Sequence, residues 1–350
     1  DKFGYTISLS SDGSRIAISA PENDQYGYES GKVKVFEWNN SSWTQLGQDF
    51  DGWGDNVGLG HLLSLSGNGN VLCIFSKMQM GGSYPGEMFT YEWNGSSWVQ
   101  FGQNIPSLNN YLPTSIELSY DGSGLIIGNG SENYPGYVRV FNFNGVNWTQ
   151  IGNTINGIHQ ERFGYSVSIS NDGNTIAAGA IEGDVYPFSS YNQGLVRVFN
   201  WDGSLWNQAG QEMGGKEEVE YSGWSVALNG DGSSLIVGIP ENQSLGLGQS
   251  HGAARVYELK YPCYGCTDPI AINYDSISTV NDSSCTYAGC TDSTALNYNP
   301  AATLDDGSCL LCYATADIGA DTITACDSVL ISTNTITNGS YLWNSSNISP

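Results

Sequence analysis

Apolar and polar residues alternate in short runs through the first 260 residues. Tyr165-Ser-Val-Ser-Ile-Ser170 is one such run, and period-two alternation marks a strand with one buried face. Asp172-Gly173 follows it, a pair expected to supply the positive φ angles of a tight hairpin turn. A second strand, Thr175-Ile-Ala-Ala-Gly179, comes next, and then a longer polar loop. A third strand reads Val-Lys/Arg-Val-Phe, at Val33–Phe36, Val138–Phe141 and Val196–Phe199. A short Asn/Gly/Ser turn leads to a fourth, as in Trp43-Thr-Gln-Leu-Gly47. These strands are named a, b, c and d below.

The unit recurs. Its a–b turns are Asp12-Gly13, Asn68-Gly69, Asp121-Gly122, Asp172-Gly173 and Asp231-Gly232, spaced 56, 53, 51 and 59 residues apart. Its strand-d tryptophans, Trp43, Trp98, Trp148 and Trp206, are spaced 55, 50 and 58 apart. Two markers drifting together indicate a true repeat. Four strands in about 50 residues, repeated, predict a β-propeller blade. Five blades are expected in residues 1–260, the fifth with strands a, b and c but no d before Cys263. The ring is then either five-bladed or a larger one with N-terminal blades missing. The chain opens at Asp1 without an initiator Met or signal peptide and closes at Pro350 inside a strand pattern, so both ends are expected to be cut points.

Phe3-Gly4 with Ser19-Ala20-Pro21, Phe163-Gly164 with Gly179-Ala180, and Gly223-Trp224 with Gly238-Ile239-Pro240 resemble the FG-GAP repeat. That family includes the propellers of integrin α-subunits and many bacterial surface proteins. The resemblance covers about residues 1–260 and weakens in blades two and three, where Leu59-Gly60 and Leu112-Pro113 replace the Phe-Gly pair. Calcium-binding members carry an Asp-rich a–b loop. Here that connection is read as a two-residue turn such as Asp12-Gly13, too poor in oxygen ligands for calcium. The turn aspartates are therefore expected to be turn formers.

Composition narrows the function classes. Eleven basic and 35 acidic residues leave a net charge of −24, which excludes nucleic-acid binding through a basic surface. At 39% hydrophobic and 12% aromatic, the chain is too apolar for a disordered acidic tail. No run approaches the roughly 20 apolar residues of a membrane helix, so no transmembrane segment is expected in this chain. The charge is uneven: beyond Lys260 there is no Lys, Arg, His or Glu but there are nine Asp.

Up-and-down strands put the b–c and d–a loops on one face. Tyr26, Tyr28, Tyr84, Tyr134, Tyr186 and Tyr191 fall in b–c loops, and Trp53, Asp55 and His159 in d–a loops. Loops on a rigid scaffold carry function, and exposed Tyr and Trp suit protein or sugar ligands. Tyr26, Tyr28, Trp53, Tyr84, Tyr134, Tyr186 and Tyr191 are the candidate ligand-binding residues; packing of each on its own loop is the alternative. Lys34, Arg139, Arg197 and Arg255 share one strand-c position, where blade two has Phe89. They read either as a cationic ring or, preferably, as structural residues pairing with an acid or the strand-d Trp. The three histidines, His61, His159 and His251, form no recognisable catalytic arrangement, and no catalytic residue is expected.

Residues 266–309 hold a second repeat, of 24 residues: Cys266-Thr-Asp-Pro-Ile-Ala-Ile-Asn-Tyr274 matches Cys290-Thr-Asp-Ser-Thr-Ala-Leu-Asn-Tyr298. Cys263-x-x-Cys266 and Cys309-x-x-Cys312 have zinc-site spacing. Disulfides Cys266–Cys285 and Cys290–Cys309 fit the period better, and so short a unit needs a staple. Cys263, Cys312 and Cys326 are left without a derivable partner, and Cys73 is expected to be a buried apolar residue. The segment resembles Gly-Cys-Thr-Asp repeats of secreted proteins of marine Bacteroidetes and, less closely, the calcium-wrapping type 3 repeats of thrombospondin. Asp268, Asp282, Asp292, Asp305 and Asp306 are the candidate Ca²⁺ ligands, with solvated acidic loops as the alternative. Asn273 and Asn297 are candidates for turn caps. From Tyr313, Ala320–Ser332 and Tyr341–Trp343 look like the first strands of an Ig-like sandwich.

The expected class is therefore all-β: a β-propeller over 1–260, a two-repeat Cys-rich stalk over 261–312 and the start of an Ig-like β module over 313–350. The expected function is adhesion or ligand binding outside the cell or at its outer surface, with an extracellular protein or glycan as partner. A propeller enzyme acting on extracellular polysaccharide, and a structural spacer, are the alternatives.

Overall fold

The computed structural model describes all residues except 79–85, 108–110, 133, 159, 185–191, 217–218, 242–251, 260–263, 275–279, 282, 312–313, 318–321 and 326–350. The chain divides into two compact units, Asp1–Tyr261 and Pro262–Pro350.

The first unit is a β-propeller. Blade one pairs a (Ile7–Leu9), b (Arg15–Ala20) and c (Lys32–Trp38) in order, antiparallel. Blades two, three and four repeat it, with strand a at Leu59–Leu65, Ser115–Leu118 and Phe163–Ile169. Blade five is Ser225–Leu228, Ser234–Ile239 and Ala253–Glu258, three strands among the described residues.

Strand d differs from its reading as one element. In each of the first four blades it is two short pieces on strand c, such as Trp43–Gln45 and Phe50–Asp51 in blade one. The break comes at Gly47, with φ +79°; a Cβ there would lie 2.7 Å from the Trp98 ring of the next blade. The Trp98 indole N–H donates to the Leu46 carbonyl at 3.0 Å, and Gln48 bonds both the N–H and the C=O of Trp98. In blades two, three and four the strand-d tryptophan thus locks the blade to the one before it.

The a–b turns also differ in detail. Only the glycine of each pair has positive φ, from Gly13 to Gly232, and the loop is four residues long, as in Ser11–Ser14. The acid acts through its side chain: Asp12 Oδ1 accepts from Ser14 N (2.9 Å) and Ser10 Oγ (2.6 Å). Those hydrogen bonds lower its pKa to about 2. The aspartates are turn formers, as the sequence implied.

Four buried apolar clusters lie at the four junctions between consecutive blades. Strand b packs on both sides, which explains unbroken runs such as Val71-Leu-Cys-Ile-Phe75. Within that run the Cys73 thiol is buried, which pushes its pKa up to about 12. Strand a, the innermost, has one edge without a ladder partner, and its N–H groups are satisfied across the junction instead. Leu65 N donates to Ser8 Oγ, Leu118 N to Ser64 Oγ, Ile169 N to Glu117 Oε2 and Leu228 N to Ser168 Oγ, all at 2.9–3.0 Å. Blade five has Ala227 at that repeat position.

No buried apolar cluster joins blade five to blade one among the described residues. Phe3, Ile7, Leu9 and Trp43 are exposed in blade one, although their equivalents Phe163, Leu63, Leu65 and Trp98 are buried. Ile236 and Val256 are exposed in blade five, against buried Ala177 and Val198 in blade four.

In the second unit the 24-residue period is structural. Tyr264–Gly265 pairs parallel with Val280–Asn281, and Ala288–Gly289 with Leu304–Asp305. Each copy is closed by a disulfide, Cys266–Cys285 and Cys290–Cys309. Zinc is thereby excluded as the role of Cys266 and Cys309, since a metal ligand must be a thiolate. Asn273 bonds Thr286 N and Ser284 O, and Asn297 bonds Leu310 N and Ser308 O, so each asparagine brackets the chain around the second cysteine. Ala314–Asp317 and Thr322–Ala325 form an antiparallel hairpin. Tyr341–Trp343 and Cys263, Cys312 and Cys326 lie outside the described residues.

Candidate functional site

The starts of the five a strands surround the mouth of the central channel, on the same face as the b–c and d–a loops. A cavity of about 660 Å³ opens there, lined by all five blades, and ligand sites typically span roughly 300–1,000 Å³. One repeat position supplies its most prominent side chains: Tyr5, His61, Thr114, Tyr165 and Trp224, the residue after the Phe-Gly, Leu-Gly, Leu-Pro or Ser-Gly pair.

Glycine creates that position. Gly4, Gly60, Gly164 and Gly223 all have φ between +85° and +90°, a region closed to residues with a Cβ. In blades two and four the a–b register shifts at this point, between Leu59 and Leu62 and between Phe163 and Val167. Such a bulge re-aims the residues beside it. The residue before the glycine is buried in blades two, four and five, at Leu59, Phe163 and Ser222, and exposed in blade one, at Phe3; the residue after it lines the mouth. Blade three has Pro113 instead of the glycine, starts its strand at Ser115, and contributes Thr114 in place of a ring.

The rings fall into two pairs. Tyr5 and His61, from blades one and two, have centroids 5.6 Å apart; Tyr165 and Trp224, from blades four and five, 5.1 Å. Trp224 is 46% exposed and Tyr5 49%. Burial, then the charges of Lys77 and Lys2, hold the His61 pKa below its ordinary value, so it is neutral near pH 7. Among the described residues no Asp, Glu, Lys, Arg or Cys lines the cavity. Its hydroxyls largely stitch blades together: Thr6 Oγ1 donates to His61 O, Thr114 Oγ1 to Gly164 O and Ser166 Oγ to Gly223 O.

Of the ligand-binding candidates, Tyr26, Tyr28, Trp53 and Tyr134 are exposed in loops of this face, but none lines the cavity. Tyr84, Tyr186 and Tyr191, with His159 and His251, lie outside the described residues. Trp53 packs edge-on against Phe89 at 5.4 Å, and Tyr134 against Tyr111 at 4.3 Å. Asp55 is an acceptor, taking Tyr28 N at 2.8 Å and tying the first b–c loop to the next d–a loop. The aromatic set after the glycines was missed at the sequence level. Its signal was present, an aromatic or His after Phe/Leu/Ser-Gly in four of five repeats, but those rings read as ordinary strand residues.

The strand-c cations do not line the channel. Arg197 pairs with Glu161 and Glu212, Arg255 with Glu220, and Lys34 with Asp49. Arg139 bonds Gln150 and covers Phe141. Lys34, Arg197 and Arg255 pair with acids and Arg139 with a glutamine; the rings under Arg139 and Arg197 are phenylalanines, not the strand-d tryptophans.

The stalk aspartates are engaged in their own loops. Asp268 Oδ1 accepts from Ile270 N and Oδ2 from the Tyr287 hydroxyl, Asp292 from Thr294, Asp305 from Gly307 N and Asp306 from Ser308 N. Asp282 lies outside the described residues. Among the described residues no three His, Cys, Asp or Glu come together as a metal site.

No family model matches the chain, and no curated protein matches it. Solved structures similar to it include TolB from Acinetobacter baumannii, at 12% identity and a TM-score of 0.43, covering 73% of this chain and 51% of that one. Another is a 6-phosphogluconolactonase-like protein of Bacteroides fragilis, at 15% identity and 0.41, covering 61% and 55%. A third is the β-propeller domain of the Trilobed protease from Pyrococcus furiosus, at 12% and 0.44, covering 74% and 70%. The chain spans about half the length of the first two. Its two disulfides belong to an oxidising compartment, extracellular or periplasmic. Among the described residues no helix is long and apolar enough to cross a membrane.

Proposed function

We propose that this is a binding protein of the cell exterior or outer surface, which holds an extracellular protein or glycan on the loop face of its propeller. One observation carries this: exposed aromatic side chains from separate loops, Tyr26, Tyr28, Trp53 and Tyr134, share a face with an uncharged, ring-lined channel mouth. Large amphipathic rings on a rigid frame bind at low entropic cost. The likeness of the Phe-Gly and Gly-Ala-Pro positions to FG-GAP repeats supports the same role, as does the stapled repeat segment, which suits a stalk outside the cell.

The test is a binding screen of the full chain against extracellular glycans and proteins, repeated with Tyr26→Ala, Tyr28→Ala, Tyr134→Ala and Trp224→Ala. At least one ligand should bind and lose affinity in one or more of these variants. Ligands that bind every variant as tightly as the parent chain would remove the loop face as the site.

A further inference from the structure

We infer that the channel mouth is a subsite for an uncharged saccharide, held between the Tyr5–His61 and Tyr165–Trp224 ring pairs over the hydroxyl-bearing start of blade three. This rests on the binding role proposed above and names the ligand class and the place.

Charge selects against most alternatives. Among the described residues, no charged side chain lines this cavity. The cations nearest its rings, Lys2 beside Tyr5, Arg162 over Tyr165 and Lys77 near His61, are paired with Glu22, Glu182 and Glu29, so an ionic ligand would lose hydration without a free counter-charge among the described residues, at a large cost. A neutral ligand pays no such penalty.

The ring arrangement then favours a sugar. A pyranose presents C–H groups on its faces and hydroxyls around its rim. Rings of Tyr and Trp match the faces through dispersion and weak C–H contacts. Two aromatic pairs separated by a blade without one leave a slot walled by rings, with Thr114, Ser115 and Ser131 at its third side. The hydroxyls have a defined polarity. Thr6, Thr114 and Ser166 spend their single hydrogens on neighbouring carbonyls, and Thr114 Oγ1 also accepts from Gly130 N, so the lone pairs left on these oxygens can only accept. A ligand rich in hydroxyl donors is the complement. A wholly apolar ligand would cover those lone pairs without bonding them.

Nor do the mouth rings have an evident packing duty. In blades two and four the residue before the glycine, Leu59 or Phe163, fills the inter-blade core, whereas Tyr5 and Trp224 remain about half exposed. A purely structural repeat would be served by small polar residues there, as Thr114 shows in blade three.

The experiment is calorimetric titration of the full chain with cellohexaose, xylohexaose and mannohexaose as neutral probes and hexagalacturonate as an acidic one. At least one neutral hexasaccharide should bind and hexagalacturonate should not. Trp224→Ala and Tyr165→Ala should each raise Kd about tenfold, Trp224→Tyr should retain most of the affinity, and Val146→Ala and Leu205→Ala, exposed in c–d turns of the opposite face, should leave it unchanged. Melting curves identify any variant that fails to fold; if Trp224→Ala does, Tyr165→Ala decides. Equal binding of the acidic probe, or an unchanged Kd in both channel variants, overturns the inference. So does failure of every neutral probe. If a protein ligand from the screen still binds through Tyr26, Tyr28 or Tyr134, the binding role stands and only the saccharide subsite falls; if nothing binds, both fall.

Discussion

Arg197 grips Glu161 through two hydrogen bonds, Nη1 to Oε1 at 2.5 Å and Nη2 to Oε2 at 2.9 Å, with both side chains only 7% exposed. Glu161 sits two residues before the Phe163 that starts blade four, and Arg197 is in strand c of the same blade. Glu220 and Arg255 repeat the arrangement in blade five at 3.0 Å. In blade two the same two positions are Val57 and Phe89, both in the apolar core. The repeat therefore accepts a charged or an apolar solution at this point.

Arg197→Ala is expected to cost about 3–5 kcal/mol, because it leaves a carboxylate buried without its partner. The double variant Glu161→Val with Arg197→Phe, copying blade two, should recover most of that loss. Urea unfolding midpoints of the three chains measure both effects. A double variant no more stable than Arg197→Ala would show that the two sites are not interchangeable.

Glu117 should make the propeller pH-sensitive. Burial pushes its pKa up from 4.5 to about 7, against the opposing hydrogen bonds from Ser168 and Ile169 N. The folded state then holds its proton more tightly than the unfolded chain. That contribution is complete below pH 4.5 and is lost as pH rises through about 7. Its size is on the order of 3 kcal/mol, at 1.36 kcal/mol per pKa unit. Glu117→Ser, which copies Ser8, Ser64 and Ser168, should gain stability relative to the parent as pH rises from 4.5 to 8. A stability difference between the two chains that stays constant over this range would exclude the buried proton.

The same substitution should have different costs at equivalent positions. Leu65→Ala removes a 4%-exposed side chain from the junction of blades one and two and should cost about 2–5 kcal/mol. Leu9→Ala, in the first blade, acts on a side chain that is 51% exposed and should stay within about 0.5 kcal/mol. Thermal or denaturant melts of the two variants provide the comparison.

Reduction should act on the second unit. Each disulfide closes a separation of 19 residues, and loops of about that length gain roughly 3 kcal/mol from closure. Cys290→Ser with Cys309→Ser should increase proteolysis within residues 286–311 under conditions where the propeller remains uncut. An unchanged cleavage pattern would mean that the asparagine brackets suffice without the staple.

Much of this architecture was legible in the amino-acid order because its causes are local or periodic. Alternation with period two, a glycine at each hairpin and a tryptophan at each strand d are repeated constraints, and repetition makes them visible. The cysteine pairs could be read for the same reason: a 24-residue period puts both copies in one geometry. The sequence likewise implied turn-forming aspartates and a buried Cys73, whose neighbours in strand b are all apolar.

What the tertiary structure alone decided is where strand a points its side chains and which blades meet. A positive-φ glycine reverses the expected alternation, so Tyr5, His61, Tyr165 and Trp224 reach the channel mouth, whereas a period-two reading leaves them anonymous. Glu161 and Glu220, which Arg197 and Arg255 grip, lie 36 and 35 residues earlier in the chain, and only the folded blade brings each pair together. Whether Leu9 is exposed while Leu65 is buried depends on the presence of a preceding blade, which no property of either residue encodes. Local sequence sets the conformation of each blade; burial is a relation between blades, and only their arrangement in space determines it.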